Sequence, residues 1–167
     1  MNSNFGFPIR LHRYPEGKNY RWELVAELYA RLRVSENESI PDEIDRIGSN
    51  TVICRASKGS EEDFEYENDR APVYRLGQNG HKGAVTGLIF VTLNDGFTFE
   101  DCHDSLAEAG FVIEKQSPTG GGWLQHQSGS IKTALSCYLE LSELEAIQTI
   151  EPQVLLQSVS KSSRRRP

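Results

Sequence analysis

The stretch Tyr138–Val159, YLELSELEAIQTIEPQVLLQSV, constrains this chain more than any other. Its pattern predicts a strand, a helix of barely two turns, a Glu-Pro stop and a second strand. Ser142 stands at an N-cap position and Glu145 follows three residues later, the spacing of a capping box. Leu144, Ile147 and Ile150 make the buried face of that helix, and Pro152 ends it. An ordinary helix of about three turns needs more room. Two strands joined this tightly suit a compact binding module better than a catalytic scaffold.

Upstream, the same alternation of strands and helices continues back to Ala84. Ala84–Leu93 (AVTGLIFVTL) reads as an apolar strand, with Asn94-Asp95-Gly96 as its turn. Thr98 caps a helix over Phe99–Ala109, with Asp101 at the box position and Phe99, Cys102, Leu106 and Ala109 as its apolar stripe. Gly110 ends it as a left-handed cap. Phe111–Gln116 is a second strand, Pro118–Gly122 a turn, and Trp123–Gln127 with Ile131–Leu141 a long third strand bent at Gly129. Strand-helix-strand-strand-helix-strand is the split βαβ, ferredoxin-like arrangement, which places both helices on one face of an antiparallel sheet.

The first half reads differently. Phe7–Tyr14 predicts a short strand with Ile9 and Leu11 on one face. Tyr20–Val34 predicts an amphipathic helix, because Trp22, Val25, Leu28, Tyr29 and Leu32 recur at steps of three and four. A turn of helix is expected from Ser39 through Ile47, and Thr51–Ala56 has strand composition. Lys58–Arg70 carries six acidic residues with Phe64 and Tyr66 as its apolar anchors, the composition of a solvated loop. The fold class is therefore α+β. The expected organisation is an α/β region over 1–83 with an acidic loop at 58–70, a ferredoxin-like domain over 84–159, and a basic tail over 160–167.

Charge narrows the partners. The chain has a net charge of −6, and setting aside Lys161, Arg164, Arg165 and Arg166 leaves about −10 on the rest. Such a body repels nucleic-acid backbones. Phe90, Trp123 and Tyr138 are the strand aromatics that base stacking in this fold would use, but no basic Gly-aromatic motif accompanies them. The three cysteines, Cys54, Cys102 and Cys137, lie far apart and read as buried free thiols, so a cytoplasmic protein is expected. No apolar run approaches the ~20 residues of a membrane span.

Catalytic and metal chemistry find little support. Gly120-Gly121-Gly122 leads into a strand and not into a helix N-terminus, so it reads as a hairpin turn and not as a phosphate cradle. Cys102-His103-Asp104 are helix neighbours pointing in different directions and cannot chelate one ion. Ser130 lacks a nucleophile-elbow frame, and Cys137 is expected on the buried face of a strand with Leu135 and Leu139. His12, His81 and His126 have no partner at a diagnostic spacing. No catalytic residue, metal or cofactor is expected.

The segments Leu139-Glu140-Leu141-Ser142-Glu143-Leu144-Glu145-Ala146-Ile147 and Glu151-Pro152-Gln153-Val154 carry a resemblance. With Phe90-Val91-Thr92-Leu93 and the helix ending at Gly110, they make Ala84–Val159 similar to the subtilisin-type propeptide and protease-inhibitor family. The resemblance implies a domain that docks its sheet on a subtilisin-like protease and lays a C-terminal tail along the substrate cleft. Backbone hydrogen bonds give affinity in such a mode, and alternate side chains give specificity. Gln157, Ser158, Val159, Ser160 and Lys161 are then the contact residues, and no catalytic group is needed. A general protein-interaction or scaffold domain, and a regulatory module binding a small ligand, are the other readings of the same fold.

Overall fold

The computed structural model describes residues 6–56, 69–78 and 80–156. The described chain is mainly β with two α-helices. In order it forms β1 (Arg10–Leu11), β2 (Trp22–Arg31), β3 (Glu43–Ile47), β4 (Thr51–Arg55), β5 (Arg70–Leu76) and β6 (Lys82–Leu93). Then come α1 (Phe99–Glu108), β7 (Phe111–Gln116), β8 (Gly121–His126), α2 (Ile131–Cys137), a 3-10 helix (Tyr138–Glu143) and β9 (Ile147–Leu156). All nine strands join one antiparallel sheet in the order β3-β4-β2-β5-β6-β8-β7, with β1 on β2 and β9 on β6. Most of the acidic stretch 58–70 and the basic tail 160–167 lie outside the described residues.

β6 is the spine of the sheet. β9 runs along one of its edges, while the other edge meets β5 at 82–84 and β8 at 89–92. Around its C-terminal half the strands lie in the order β9-β6-β8-β7, with α1 connecting β6 to β7 and α2 with the 3-10 helix connecting β8 to β9. Alternation sends Ile89, Val91, Leu124 and Ile150 to one face, where they are fully buried. Phe99, Cys102 and Leu106 of α1 pack there, together with Ala134 and Leu135 of α2 and Tyr138 and Leu141 of the 3-10 helix. Each such aliphatic side chain contributes about 1.5–3 kcal/mol by leaving water.

α1 starts where the sequence places it. The Thr98 hydroxyl accepts from the Asp101 N–H at 3.2 Å, and the Asp101 carboxylate accepts from the Thr98 N–H at 3.1 Å. Gly110, at φ 92°, turns the chain out of the helix in a conformation that side-chain-bearing residues avoid.

The N-terminal half corrects the expectation of helices. Residues 20–34 hold a strand, β2, and not a helix. The apparent helical period has a cause. Residues 25–28 of β2 stand opposite Val73 alone on β5, a bulge that changes which face each parity presents. Before the bulge Trp22 and Leu24 pack in the core with α1; Val25 and Leu28 within it and Ala30 after it pack with Ile53, Ala71 and Val73 in a second core. Burial therefore falls on both parities, at Val25 and Tyr29 as well as Trp22, Leu28 and Ala30, and spacings of three and four result. The helical turn expected over 39–47 is likewise a strand, β3, joined to β4 by a hairpin at Gly48 (φ 61°), a signal for strands that Gly48-Ser49-Asn50 carries. In the first strand, Leu11 is buried with Phe7, whereas Ile9 faces solvent.

The end of the chain corrects the opening feature. The strand expected over 131–141 is α2 followed by the 3-10 helix. Its apolar residues fit both periods, and Ser130 decides the matter by accepting from the Thr133 N–H as an N-cap. The short helix expected over 142–150 does not form. Ser142 donates to the Leu139 carbonyl at 2.7 Å inside the 3-10 helix, and Ile147 already begins β9. Pro152 is inside that strand. Ile150 directs its N–H and C=O outward to Tyr14, so by alternation the missing N–H of Pro152 also lies on the outer edge, where a strand tolerates proline.

Candidate protein-binding face

Helices cover one face of the strands β9-β6-β8-β7; among the described residues none packs on the other. Phe90 and Trp123 face each other across β6 and β8 on this open side, with ring centroids 4.8 Å apart and planes tilted by 57°. The triple glycine explains how they sit. A side chain at Gly121 would collide with the Phe90 ring, and one at Gly122 would put its Cβ 2.7 Å from the Phe99 ring on the covered side. Two consecutive glycines thus make room for two aromatic rings, one on each face. Their job is packing, as the leading strand suggests.

Around the aromatic pair lies a shallow depression of about 410 Å³ whose rim includes Glu151, Gln153 and Leu155 of β9. Polar pairs lock the neighbouring side chains: Thr86 Oγ1 donates to Gln153 Oε1 at 2.7 Å, and Thr92 and Thr149 share a 2.6 Å hydrogen bond across β6 and β9. Both rings are half-buried, so a partner would find aromatic surface already displayed. The third strand aromatic of the sequence reading, Tyr138, is elsewhere. It is buried in the 3-10 helix, where its hydroxyl donates to the His12 carbonyl at 2.6 Å and accepts from the His12 N–H at 2.8 Å. Tyr74 donates in the same way to the Pro8 carbonyl at 2.6 Å. Together they hold the N-terminal segment against the body.

The remaining candidates separate widely. Cys102 is buried in α1, and burial first, then Asp101, raises its thiol pKa. His103 is exposed and contacts its neighbour Asp104 at 3.2 Å. Among the described residues no group of three or more His, Cys, Asp or Glu is placed to hold a metal. Cys137 is on α2 and not on a strand; its thiol donates to the Thr133 carbonyl at 3.1 Å, and burial raises its pKa. Cys54 is buried in β4 and raised by burial as well. All three cysteines are free. Raised thiols hold little thiolate near neutrality, which makes them poor nucleophiles. Ser130 serves as the N-cap of α2. Gln157, Ser158, Val159, Ser160 and Lys161, the proposed contact residues of the tail, lie outside the described residues, and β9 ends just before them at Leu156.

No family model matches the chain, and no curated protein matches it. One chain from the crystal structure of the Aeromonas sobria serine protease and chaperone complex aligns with it at 20% identity. The alignment covers 54% of this chain and 84% of that one, with a TM-score of 0.36.

Proposed function

We propose that this chain is a non-catalytic binding protein that engages a subtilisin-like serine protease through the open face of a ferredoxin-like unit. The observation that carries the reading is the Phe90–Trp123 pair, set on the uncovered side of a sheet whose other side is fully packed. Aromatic anchors flanked by a polar rim are what protein interfaces concentrate their energy in. The strand order β9-β6-β8-β7 with its two crossing connections supports the ferredoxin-like assignment. In this reading β9 delivers the residues from Gln157 onward to the protease cleft, where an extended segment binds by backbone hydrogen bonds.

The test is titration of a subtilisin-like protease with the full chain. Inhibition at a stoichiometric ratio is expected. Phe90→Ala combined with Trp123→Ala should weaken it at least tenfold, about 1.4 kcal/mol. Removal of residues 157–167 should abolish it. Full inhibition by the truncated chain would discard the tail mechanism, and equal inhibition by the double variant would discard the sheet face.

A further inference from the structure

Along one edge of β6, β5 pairs at 82–84 and β8 at 89–92, and between these pairings the edge has neither as a partner. A cleft of about 400 Å³ opens there, with Thr86, Gly87 and Leu88 as its floor. Three backbone irregularities converge on it. Gly87 (φ 82°) sits in the β6 bulge, where a Cβ would press to 3.1 Å from the Ile131 Cα at the start of α2. Arg33, just past β2, is held in the left-handed region at φ 59°. Glu114 is the extra residue of a bulge in β7, between the pairs Ile113–Leu124 and Lys115–Trp123. Bulges and left-handed backbone re-aim side chains, and they gather at binding sites.

Two charged residues line the opening. Arg33 comes from the N-terminal half and Glu114 from the C-terminal half, and both line the cleft. Among the described residues neither makes an ion pair or a side-chain hydrogen bond, with the other or with anything else. The rest of the lining includes apolar Leu32, Ile131 and Leu155. It also offers two side-chain amides. Gln153 accepts from Thr86 through Oε1, which leaves its NH2 free to donate, and Gln125 lies close by on β8.

We propose that this cleft binds a short peptide with both termini free, about two or three residues long, a size in keeping with pockets of its volume. Arg33 takes the terminal carboxylate as a fork of N–H donors, and Glu114 takes the terminal ammonium. The glutamine amides pair with the intervening peptide group, and the apolar wall receives an aliphatic side chain. The cleft shares Gln153 and Leu155 with the depression beside the Phe90–Trp123 pair but not the pair itself, and no protease enters its test.

Calorimetric titration with Ala-Leu and Ala-Leu-Ala should give saturable binding for at least one of them. The doubly blocked forms, N-acetylated and C-amidated, should bind at least tenfold more weakly. Arg33→Asn, which keeps a residue tolerant of left-handed backbone, should cost the free peptide at least tenfold and leave the C-amidated peptide unchanged. Glu114→Gln, at an exposed position, should do the same for the free and N-acetylated pair. Unchanged melting curves for both variants separate loss of binding from loss of fold. Absence of binding up to millimolar peptide overturns the proposal. So does equal binding of blocked and free peptides, or indifference to both substitutions.

Discussion

The two faces of β8 differ by one residue in register and by everything in what covers them. Gly122 and Leu124 point at α1 and its core; Gly121 and Trp123 point away from it. On the covered side glycine admits the Phe99 ring and leucine is fully excluded from water. On the open side glycine admits Phe90, and tryptophan remains half-exposed beside it. The same aromatic-over-glycine device thus appears twice, once closed by a helix and once left to solvent. Aromatic rings lie against β8 on both faces while a helix covers only one; the covered ring belongs to the core, and the open pair is the surface proposed for recognition.

The sharpest way to break that division is to truncate neighbours on one strand. Leu124→Ala should lower unfolding free energy by about 2–5 kcal/mol, the cost of a cavity in a packed core. Trp123→Ala should cost less than half of what Leu124→Ala does, and should weaken the proposed protease binding. Denaturant titration of both variants measures the contrast, and equal losses would mean that the open face is structural too.

The glycines give a second, smaller contrast. Gly122→Ala forces a Cβ against the Phe99 ring, which α1 holds in place, and overpacking of this kind costs about 1–3 kcal/mol. Gly121→Ala meets Phe90, whose ring can swing toward solvent, so its cost should be lower and should fall further in a Phe90→Ala background. Additive losses would show that Phe90 is as fixed as Phe99.

Alkaline pH probes the covered side through its tyrosines. Burial, opposed by the hydrogen bond with His12, pushes the Tyr138 pKa up to about 12, above the ordinary value near 10. Burial raises Tyr20 and Tyr74 in the same direction. Between pH 10 and 12 the unfolded chain releases the Tyr138 proton while the folded chain keeps it, so the folded state binds more protons and stability falls as pH rises. The contribution is fully present below pH 10 and lost through about 12. Tyr138→Phe should flatten this decline and cost about 1–2 kcal/mol at neutral pH by leaving the His12 N–H and C=O without their partner.

The sequence carried the region from β6 to β8 legibly because each signal there was local and single-valued. The Thr98 box, Gly110 and the Asn94-Asp95-Gly96 turn each admit one structure. β2 was illegible because a bulge is a relation between two strands, and burial on both parities around it leaves a trace that a helix also leaves. Residues 131–141 were illegible for a related reason. Ile131, Leu135 and Leu141 satisfy alternation and a helical stripe alike, and Ala134 and Tyr138 tip the balance only once α2 is known to be buried there. The aromatic pair of the open face was visible as two strand aromatics. Its geometry depended on the β6–β8 register, which no local pattern encodes. The charges of the cleft were less visible still, since Arg33 and Glu114 lie some eighty residues apart in the chain and owe their positions to backbone irregularities.

The smallest expected effect separates two motifs that look alike on paper. Thr98-x-x-Asp101 and Ser142-x-x-Glu145 both have capping-box spacing, yet only the first is built. Thr98 precedes a helix whose stripe of Phe99, Cys102 and Leu106 has a sheet face to cover, so capping and burial reinforce each other. After Ser142 the chain must return at once to pair with β6, and Asn94 ties the turn as a double donor: its Nδ2 donates to the Glu145 carbonyl at 2.7 Å and its N–H to the Ala146 carbonyl at 2.8 Å. Eight antiparallel pairings of β9 with β6 then outweigh a cap worth about 1 kcal/mol. Thr98→Ala should therefore lower stability by about 1 kcal/mol, and Ser142→Ala should stay within about 0.5. If thermal melts show the two serving equally, the cap at Thr98 contributes nothing beyond the burial of α1, and the covered face holds by packing alone.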